Sequence, residues 1–216
     1  MTVATKQIAG IILAGGLSRR MGGGDKGLLA LGEKPMLAHV IERLRPQVGA
    51  LAINANGDPA RFAAFGLQII PDTIDGFVGP LAGVLAGLRW ARTNAPGARW
   101  LASVSADAPF LPTDLVTRLA AAVETRGNAI AIAQSGGELQ PVIGLWPVAL
   151  ADDLDAALRG GLRKVLAWTD KHGTVPVPFD MIEAGTERID PFYNANTPEE
   201  LAEARRLMAL VEDSRG

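Results

Sequence analysis

The sequence contains no cysteine and only two histidines. The absence of cysteine excludes disulfide bonds, thiolate metal sites and a cysteine nucleophile. His39 and His172 are far apart in the sequence and lack the spacing of a metal-binding pair. Any catalytic centre is therefore expected to use carboxylates, amides, lysine, arginine and backbone groups.

An excess of charge of one sign is also lacking. Twenty-one basic and 23 acidic side chains give a formal net charge of −2, which indicates no general surface for polyanions such as nucleic acid. No apolar run approaches the roughly 20 residues of a membrane span. The first residues lack the features of a signal peptide. These absences predict a cytoplasmic protein that does not act at a membrane.

Short apolar segments alternate with amphipathic ones, which is typical of a mostly parallel sheet covered by helices on both faces. We predict a three-layer, Rossmann-like α/β fold in a single domain, residues 1–216, ending in a mobile tail, residues 212–216. The less regular segment from Gly144 to Asp190 is expected to add an edge to the sheet. The predicted strands are Ile8–Leu13, Ala50–Asn54, Gln68–Ile70, Trp100–Ser105, Ala129–Ala133, Val142–Trp146 and Thr174–Val177. The predicted helices are Met36–Arg45, Pro59–Phe65, Leu81–Arg92, Pro112–Thr125, Val148–Leu158, Leu162–Thr169 and Pro198–Glu212.

The first predicted strand leads into a glycine-rich stretch, residues 13–26, with five glycines, two arginines and a lysine. Glycines let backbone N–H groups approach an anion closely, and the cations neutralise it. A glycine-rich surface turn with solvated arginines is the alternative. Three cations among five glycines favour a phosphate-binding loop.

Two well-known phosphate loops do not fit this stretch. A Walker A motif requires Gly-Lys-Ser/Thr, whereas Lys26 lies between Asp25 and Gly27. A dinucleotide-binding fingerprint requires an acidic residue at the end of the second strand, where this chain has Asn54 and then Asn56. The loop therefore belongs to another class of phosphate site.

Asp107 follows the predicted strand Trp100–Ser105 and precedes Pro109. A carboxylate at the carboxyl end of a strand, beside a phosphate loop, is a suitable oxygen ligand for Mg²⁺. The alternative is a turn or capping aspartate. The sequence leaves the second ligand open between the Asn194/Asn196 pair, a water and phosphate oxygens.

The glycine-rich stretch resembles the signature loop of nucleotidyltransferases that activate sugars and cofactors. Further motifs resemble the molybdenum cofactor guanylyltransferase family, which joins GMP to molybdopterin. Gly79-Pro-Leu-Ala-Gly83 and the late Asn-x-Asn-Thr-Pro motif point to the guanylyl branch. The motifs are Asn54-Ala-Asn56, Pro71-Asp72, Gly79–Gly83, Ala106–Phe110 and Asn194–Pro198.

The resemblance implies a nucleotide-diphospho-sugar-transferase-like fold and a defined reaction. The phosphate of molybdenum-loaded molybdopterin would attack the α-phosphorus of GTP and expel pyrophosphate. Lys26 and Arg20 would stabilise charge on the phosphates, and Asp107 would bind both Mg²⁺ and the nucleotide.

The resemblance also assigns binding residues and partners. Contacts to GTP are assigned to Leu13, Ala14, Gly15, Gly16, Lys26, Asn54, Asp72, Gly79, Pro80, Gly83 and Asp107. The acceptor side is assigned to Arg163, Asn194 and Asn196, with Gln140-Pro141 nearby. Expected partners are GTP, molybdopterin, a molybdenum-insertion protein and molybdoenzyme chaperones.

Several alternatives remain open at the level of sequence. A cytidylyltransferase for the same pterin, or a sugar-1-phosphate nucleotidyltransferase, would keep the chemistry and change the substrates. A GTP-binding regulator, or an adaptor that delivers the cofactor to an apoenzyme, would belong to a different class. A regulator would be expected to carry the Walker A loop that this sequence lacks.

Overall fold

The computed structural model describes residues 4–15, 25–74, 76 and 79–213. The strands are β1 Ile8–Leu13, β2 Ala30–Leu31, β3 Lys34–Pro35, β4 Ala50–Asn54, β5 Gln68–Ile70, β6 Trp100–Ser105, β7 Ile130–Ser135, β8 Glu138–Pro147, β9 Thr174–Pro178, β10 Ile182–Ala184 and β11 Glu187–Ile189. The α-helices are α1 Met36–Leu44, α2 Pro80–Asn94, α3 Leu115–Val123, α4 Ala151–Arg159, α5 Val165–Thr169 and α6 Pro198–Asp213. No described helix is long and apolar enough to cross a membrane.

In the described part of the chain, seven strands form the main sheet in the order β5-β4-β1-β6-β8-β7-β9. The pairs β5–β4, β4–β1, β1–β6 and β7–β9 are parallel, and β8 is antiparallel to both of its neighbours. The predicted mostly parallel sheet is confirmed. The expectation that residues 144–190 add an edge to the sheet is confirmed by β9, whereas β8, which begins at Glu138 and continues into this segment, lies inside the sheet.

Side chains of β1 alternate between the two faces of the sheet, as they must in a strand. Ile8 and Ile12 point to one apolar core, which also contains Leu37 from α1 and Leu119 from α3. Ile11 points to a second core, built with residues of α2, α4 and α5. Both faces are therefore covered by helices, as the apolar β1 sequence predicts.

A third, smaller core lies under α6. Leu201 and Met208 of this helix pack with Leu31 of β2, with Ile189 of β11 and with Phe110. The two small antiparallel pairs, β2–β3 and β10–β11, were not among the predicted elements. Strands of two or three residues are too short to show a period-2 pattern.

Several predicted boundaries are corrected by the structure. Pro59–Phe65 is a 3₁₀ helix that ends at Gly66, which has φ +61°, rather than an α-helix. Helix α5 begins at Val165, three residues later than predicted, because Gly161 takes φ +92° after the end of α4. Helix α6 runs through Asp213, so the first two residues of the predicted tail are helical. Residues 214–216 lie outside the described part.

Candidate functional site

The parallel strands bring the predicted site residues to one edge of the sheet. Leu13, the last residue of β1, is in register with Asn54 of β4 on one side and Ser105 of β6 on the other. The N–H of Ala14 donates to the Asn54 carbonyl at 2.8 Å, and that of Ala106 donates to the Leu13 carbonyl at 3.1 Å. The start of the glycine-rich stretch therefore lies between the Asn54 and Asp107 segments.

Lys26, Asp107 and Asn196 meet at this edge. The Lys26 ammonium donates to Asn196 Oδ1 at 2.6 Å and lies 3.8 Å from Asp107 Oδ2. The side chains of Lys26 and Asp107 are 20% and 15% exposed, so the pair is partly desolvated but still open to a ligand. Ser105 donates a hydrogen bond to Asp107 Oδ1. Two oxygens from distant segments are thus grouped around one cation.

A capping box at the start of α6 fixes the segment that carries Asn196. Glu200 accepts from the N–H groups of Asn196 at 2.6 Å and Thr197 at 3.1 Å. The Thr197 hydroxyl accepts in turn from the N–H of Glu200 at 3.2 Å, which completes the reciprocal motif. Asn194 Oδ1 is buried and has no hydrogen-bond partner among the described residues. An acceptor without a partner beside this centre is available to a ligand.

Close packing of Gly27 holds Lys26 near Asp107. A Cβ atom on Gly27 would lie 3.1 Å from the Ala106 Cβ and 3.3 Å from its carbonyl oxygen. Since this is tighter than ordinary contact, the absence of a side chain lets the short 3₁₀ helix Lys26–Leu28 approach the end of β6.

Asp72 is held by two asparagines. Its carboxylate accepts from Asn54 Nδ2 at 3.0 Å and from Asn56 Nδ2 at 2.8 Å, while its N–H donates to Asn56 Oδ1 at 2.8 Å. Asn54 is only 4% exposed and also donates to the Ile70 carbonyl. The asparagines that replace the acidic residue of a dinucleotide fold therefore orient a carboxylate from the next strand.

The glycines at the start of α2 differ in their surroundings. A Cβ on Gly83 would collide with Asn54 Oδ1 and would lie 2.8 Å from a methyl group of Leu13. A Cβ on Gly79 would meet no described atom within 4 Å. Gly83 is therefore required for packing against the strand ends, whereas the described residues leave space for a side chain at Gly79.

A largely apolar pocket of about 480 Å³ lies on the α2–α5 side of the sheet. Its walls are Pro80, Pro141, Val142, Lys164, Val165, Leu166 and Ala167. Lys164 is the charged residue among these walls. Its neighbour Arg163 does not line the pocket. Arg163 is exposed and donates to the carbonyls of Leu158 at 3.3 Å and Leu162 at 2.8 Å. Of the residues assigned to the acceptor side, Arg163 is next in sequence to the pocket wall, and Asn196 lies at the Lys26–Asp107 centre.

Other predicted residues fall outside the description, and some contributors were not predicted. Gly16 and Arg20 lie outside the described residues. Glu200 was not singled out, although Thr197 followed three residues later by glutamate is a recognisable capping box. Arg61 was missed because no local pattern marks its pairing with Asp25, 36 residues earlier.

The donor set suits a cation that takes few protein ligands. Among the described residues, no group of three or more histidine, cysteine or acidic side chains could hold a metal. Asp107 and Asn196 offer hard oxygen atoms beside the same ammonium group. Mg²⁺ is commonly bound by one or two carboxylates together with substrate phosphates, so these oxygens fit it.

Comparisons with known proteins show the family to which the chain belongs. Residues 10–175 match the family model of the MobA-like NTP transferase domain. A molybdenum cofactor guanylyltransferase from Bradyrhizobium sp. (strain ORS 278) is 52% identical over 209 residues, 96% of each chain. One from Rhizobium meliloti (strain 1021) is 50% identical over 204 residues, 94% of this chain and 93% of the relative. The chain belongs to the molybdenum cofactor guanylyltransferase family.

Solved structures support the fold of this guanylyltransferase family member. Molybdopterin-guanine dinucleotide biosynthesis protein A from Archaeoglobus fulgidus has a TM-score of 0.70 at 23% identity, with 93% of this chain and 98% of that chain covered. The 4-diphosphocytidyl-2C-methyl-D-erythritol synthase from Anaerococcus prevotii has a TM-score of 0.68 at 11% identity, with coverage of 94% and 96%. Both share the α/β fold, and the predicted nucleotidyltransferase-like fold is confirmed.

Proposed function

We propose that this chain transfers GMP from GTP to the phosphate of molybdenum-loaded molybdopterin. The new bond forms between an oxygen of the molybdopterin phosphate and the α-phosphorus of GTP. The bond from the α-phosphorus to the bridging oxygen breaks, and pyrophosphate leaves with that oxygen. The grouping of Lys26, Asp107 and Asn196 next to the glycine-rich stretch is the observation that carries this proposal.

In the nucleotide half, the glycine-rich stretch cradles the triphosphate, with contacts from residues 13–16. The Asp72 carboxylate, fixed by Asn54 and Asn56, accepts hydrogen bonds from guanine N1–H and its amino group, or from ribose hydroxyls. The space that the described residues leave at Gly79, before Pro80, allows the base or ribose to approach the backbone. Gly83 supports this half by letting α2 pack against Asn54.

Charge neutralisation is the main catalytic contribution. Nucleotidyl transfer depends on positioning and electrostatic stabilisation more than on covalent work by the protein. Lys26 and Arg20 stabilise the negative charge that develops on the leaving pyrophosphate. The attacking phosphate is already ionised near neutral pH, so it needs no general base. Mg²⁺ held by Asp107, with Asn196 as a further oxygen donor, would neutralise charge on the phosphates.

The acceptor half is proposed to use the apolar pocket. Its volume of about 480 Å³ suits a small organic molecule. The walls formed by Pro141, Val142 and Leu166 would contact the pterin, and Lys164 with Arg163 would attract its negatively charged groups. Asn194, whose Oδ1 is buried without a described partner, would bind the acceptor close to the reacting phosphates.

This function also suggests where the protein works and what it meets. Because its proposed substrates are GTP and molybdopterin, we expect the protein to act in the cytoplasm. A molybdenum-insertion protein would provide the loaded pterin, and molybdoenzyme chaperones would receive the product.

The test is a reconstituted reaction with purified protein, GTP and molybdenum-loaded molybdopterin. We expect pyrophosphate release that depends on the acceptor, together with a product of the mass of the guanine dinucleotide. Omission of the pterin is the control. Release of inorganic phosphate from GTP without the pterin would indicate a GTP-binding regulator. Tight binding of the finished cofactor without pyrophosphate release would indicate a delivery adaptor.

A further inference from the structure

Arg61 connects two segments of the nucleotide half of the site. Its Nη1 forms an ion pair and hydrogen bond with Asp25, the residue before Lys26. Its Nη2 donates to the Asn56 carbonyl at 2.5 Å, and its Nε donates to the Asp58 carbonyl at 2.9 Å. One guanidinium group thus joins the end of the glycine-rich stretch to the turn after β4.

The contact of Arg61 with Asp25 affects the position of Lys26. The N–H of Leu28 donates to the Asp25 carbonyl at 3.0 Å, so Asp25 is the N-cap of the 3₁₀ helix Lys26–Leu28. The Asp25 side chain is only 10% exposed. A carboxylate this poorly hydrated beside a phosphate loop would repel a triphosphate unless a cation neutralises it.

The contact of Arg61 with Asn56 affects the orientation of Asp72. Asn56 donates to the Asp72 carboxylate and accepts from the Asp72 N–H, both at 2.8 Å. A residue that fixes the backbone of Asn56 therefore also fixes the direction of the Asp72 carboxylate. Arg61 hydrogen-bonds to both Asp25 and the Asn56 carbonyl and so links the two ends.

We propose that Arg61 is a positioning residue, which neutralises Asp25 and holds Lys26 in a fixed relation to the Asn56–Asp72 pair. This inference rests on the proposed function, because it assumes that Lys26 and Asp72 bind the same GTP molecule. Arg61 acts through these residues and is not itself assigned to the substrate. Its planar, forked group is what reaches three acceptors at once, which an ammonium cannot do with the same geometry.

The test compares KM for GTP and KM for molybdopterin in four variants: Arg61→Met, Arg61→Lys, Asp25→Asn and the double variant Asp25→Asn/Arg61→Met. We expect Arg61→Met to raise KM for GTP roughly tenfold to hundredfold, the range for losing a charge-assisted contact. KM for molybdopterin should stay unchanged. Arg61→Lys, which keeps the charge, should have an intermediate KM for GTP.

The double variant separates the two contacts of Arg61. Removing the Asp25 charge as well should lower KM for GTP only part of the way toward the wild-type value, because no unpaired carboxylate remains but the contact with the Asn56 carbonyl is still lost. If Asp25→Asn instead raises KM for GTP by the same factor in the Arg61→Met protein as in the wild type, the two residues act independently. The proposal would then be wrong. An unchanged KM for GTP in Arg61→Met would also overturn it.

Arg92→Met is the matched control, since Arg92, in the last turn of α2, forms an exposed ion pair with Asp152 of α4. It should leave both KM values unchanged. If Arg61→Met does not fold, Arg61→Lys and Asp25→Asn still test the proposal through GTP binding measured by calorimetry. Failure of the wild-type protein to use GTP would refute the proposed function itself, whereas a working wild type with insensitive variants would refute only the role of Arg61.

Discussion

The Lys26 ammonium lies 2.6 Å from Asn196 Oδ1, although the two residues are separated by 170 positions in the chain. The contact joins the end of the glycine-rich stretch to the segment that begins α6. Helix α6 has its own small core with Leu31 and Phe110, and that core fixes the distance between these two segments. Helix α6 is therefore tied to the proposed site through Asn196 and is not an appendage to the sheet.

The first prediction concerns Lys26. Lys26→Ala should weaken GTP binding by about 1.5–3 kcal/mol, because it removes a charge-assisted contact to a partly desolvated phosphate. The loss in kcat/KM should be larger if the contact tightens in the transition state. Titration with GTP measures the binding change. Lys34→Ala is the control, since Lys34 pairs with Glu42 on an exposed surface. Equal GTP affinities for the two variants would contradict the assigned role.

The second prediction concerns Mg²⁺. Asp107→Asn should nearly abolish transfer and leave thermal unfolding unchanged, because it keeps the side-chain shape and removes the charge that binds the metal. A chelator should have the same effect on the wild type, reversed by added Mg²⁺. Asp152→Asn, at a carboxylate that is 80% exposed, is the control and should remain active. Near-normal turnover in Asp107→Asn, or transfer that survives chelation, would refute the metal assignment.

The third prediction separates two glycines of one motif. Gly83→Ala should destabilise the protein by about 1–3 kcal/mol, the usual cost of overpacking, because its Cβ would collide with Asn54. Gly79→Ala should unfold at the wild-type temperature and yet bind GTP more weakly, because the new methyl group occupies space left for the base or ribose. Thermal unfolding and GTP titration on both variants provide the test. A stable Gly83→Ala protein with normal activity would show that the packing argument is wrong.

The fourth prediction concerns the acceptor side. Arg163→Ala and Lys164→Ala should raise KM for molybdopterin and leave GTP binding almost unchanged, because Lys164 lines the apolar pocket proposed for the acceptor and Arg163 is next to it in the sequence. Arg163 also donates to the carbonyl of Leu158, near the end of α4, and to that of Leu162 in the following turn, so its variant should unfold at a slightly lower temperature than the Lys164 variant. If Arg163→Ala damages GTP binding as severely as Lys26→Ala, the division into nucleotide and acceptor sides fails.

The sequence predicts four of the parallel strands well because each is a short, mainly apolar segment. The bounds of β1, β4, β5 and β6 agree with the prediction. Since ligands of parallel sheets bind beyond the carboxyl ends of strands, these bounds also indicate that Asn54, Asp72 and Asp107 lie at one edge. The resemblance added Asn196, which no local pattern would have placed beside Lys26.

Other parts of the structure depend on contacts between distant segments. The partner of Arg61 is Asp25, and nothing in either neighbourhood indicates that they meet. The Thr174–Val177 segment reads as a strand, but its place beside β7 depends on how the chain returns after α5. The packing role of Gly83 is visible only once the fold brings Asn54 Oδ1 to the place that a Cβ would occupy, whereas the motif alone suggested a contact with the base.

The choice of nucleotide in the reconstituted transfer to molybdopterin tests the guanylyl assignment most directly. kcat/KM would be measured for GTP, CTP, ATP and UTP under identical conditions. GTP should be preferred by orders of magnitude, because a site that hydrogen-bonds one base edge leaves buried groups unpaired with the wrong base. Comparable values of kcat/KM for GTP and CTP would contradict the guanylyl assignment and favour a cytidylyltransferase.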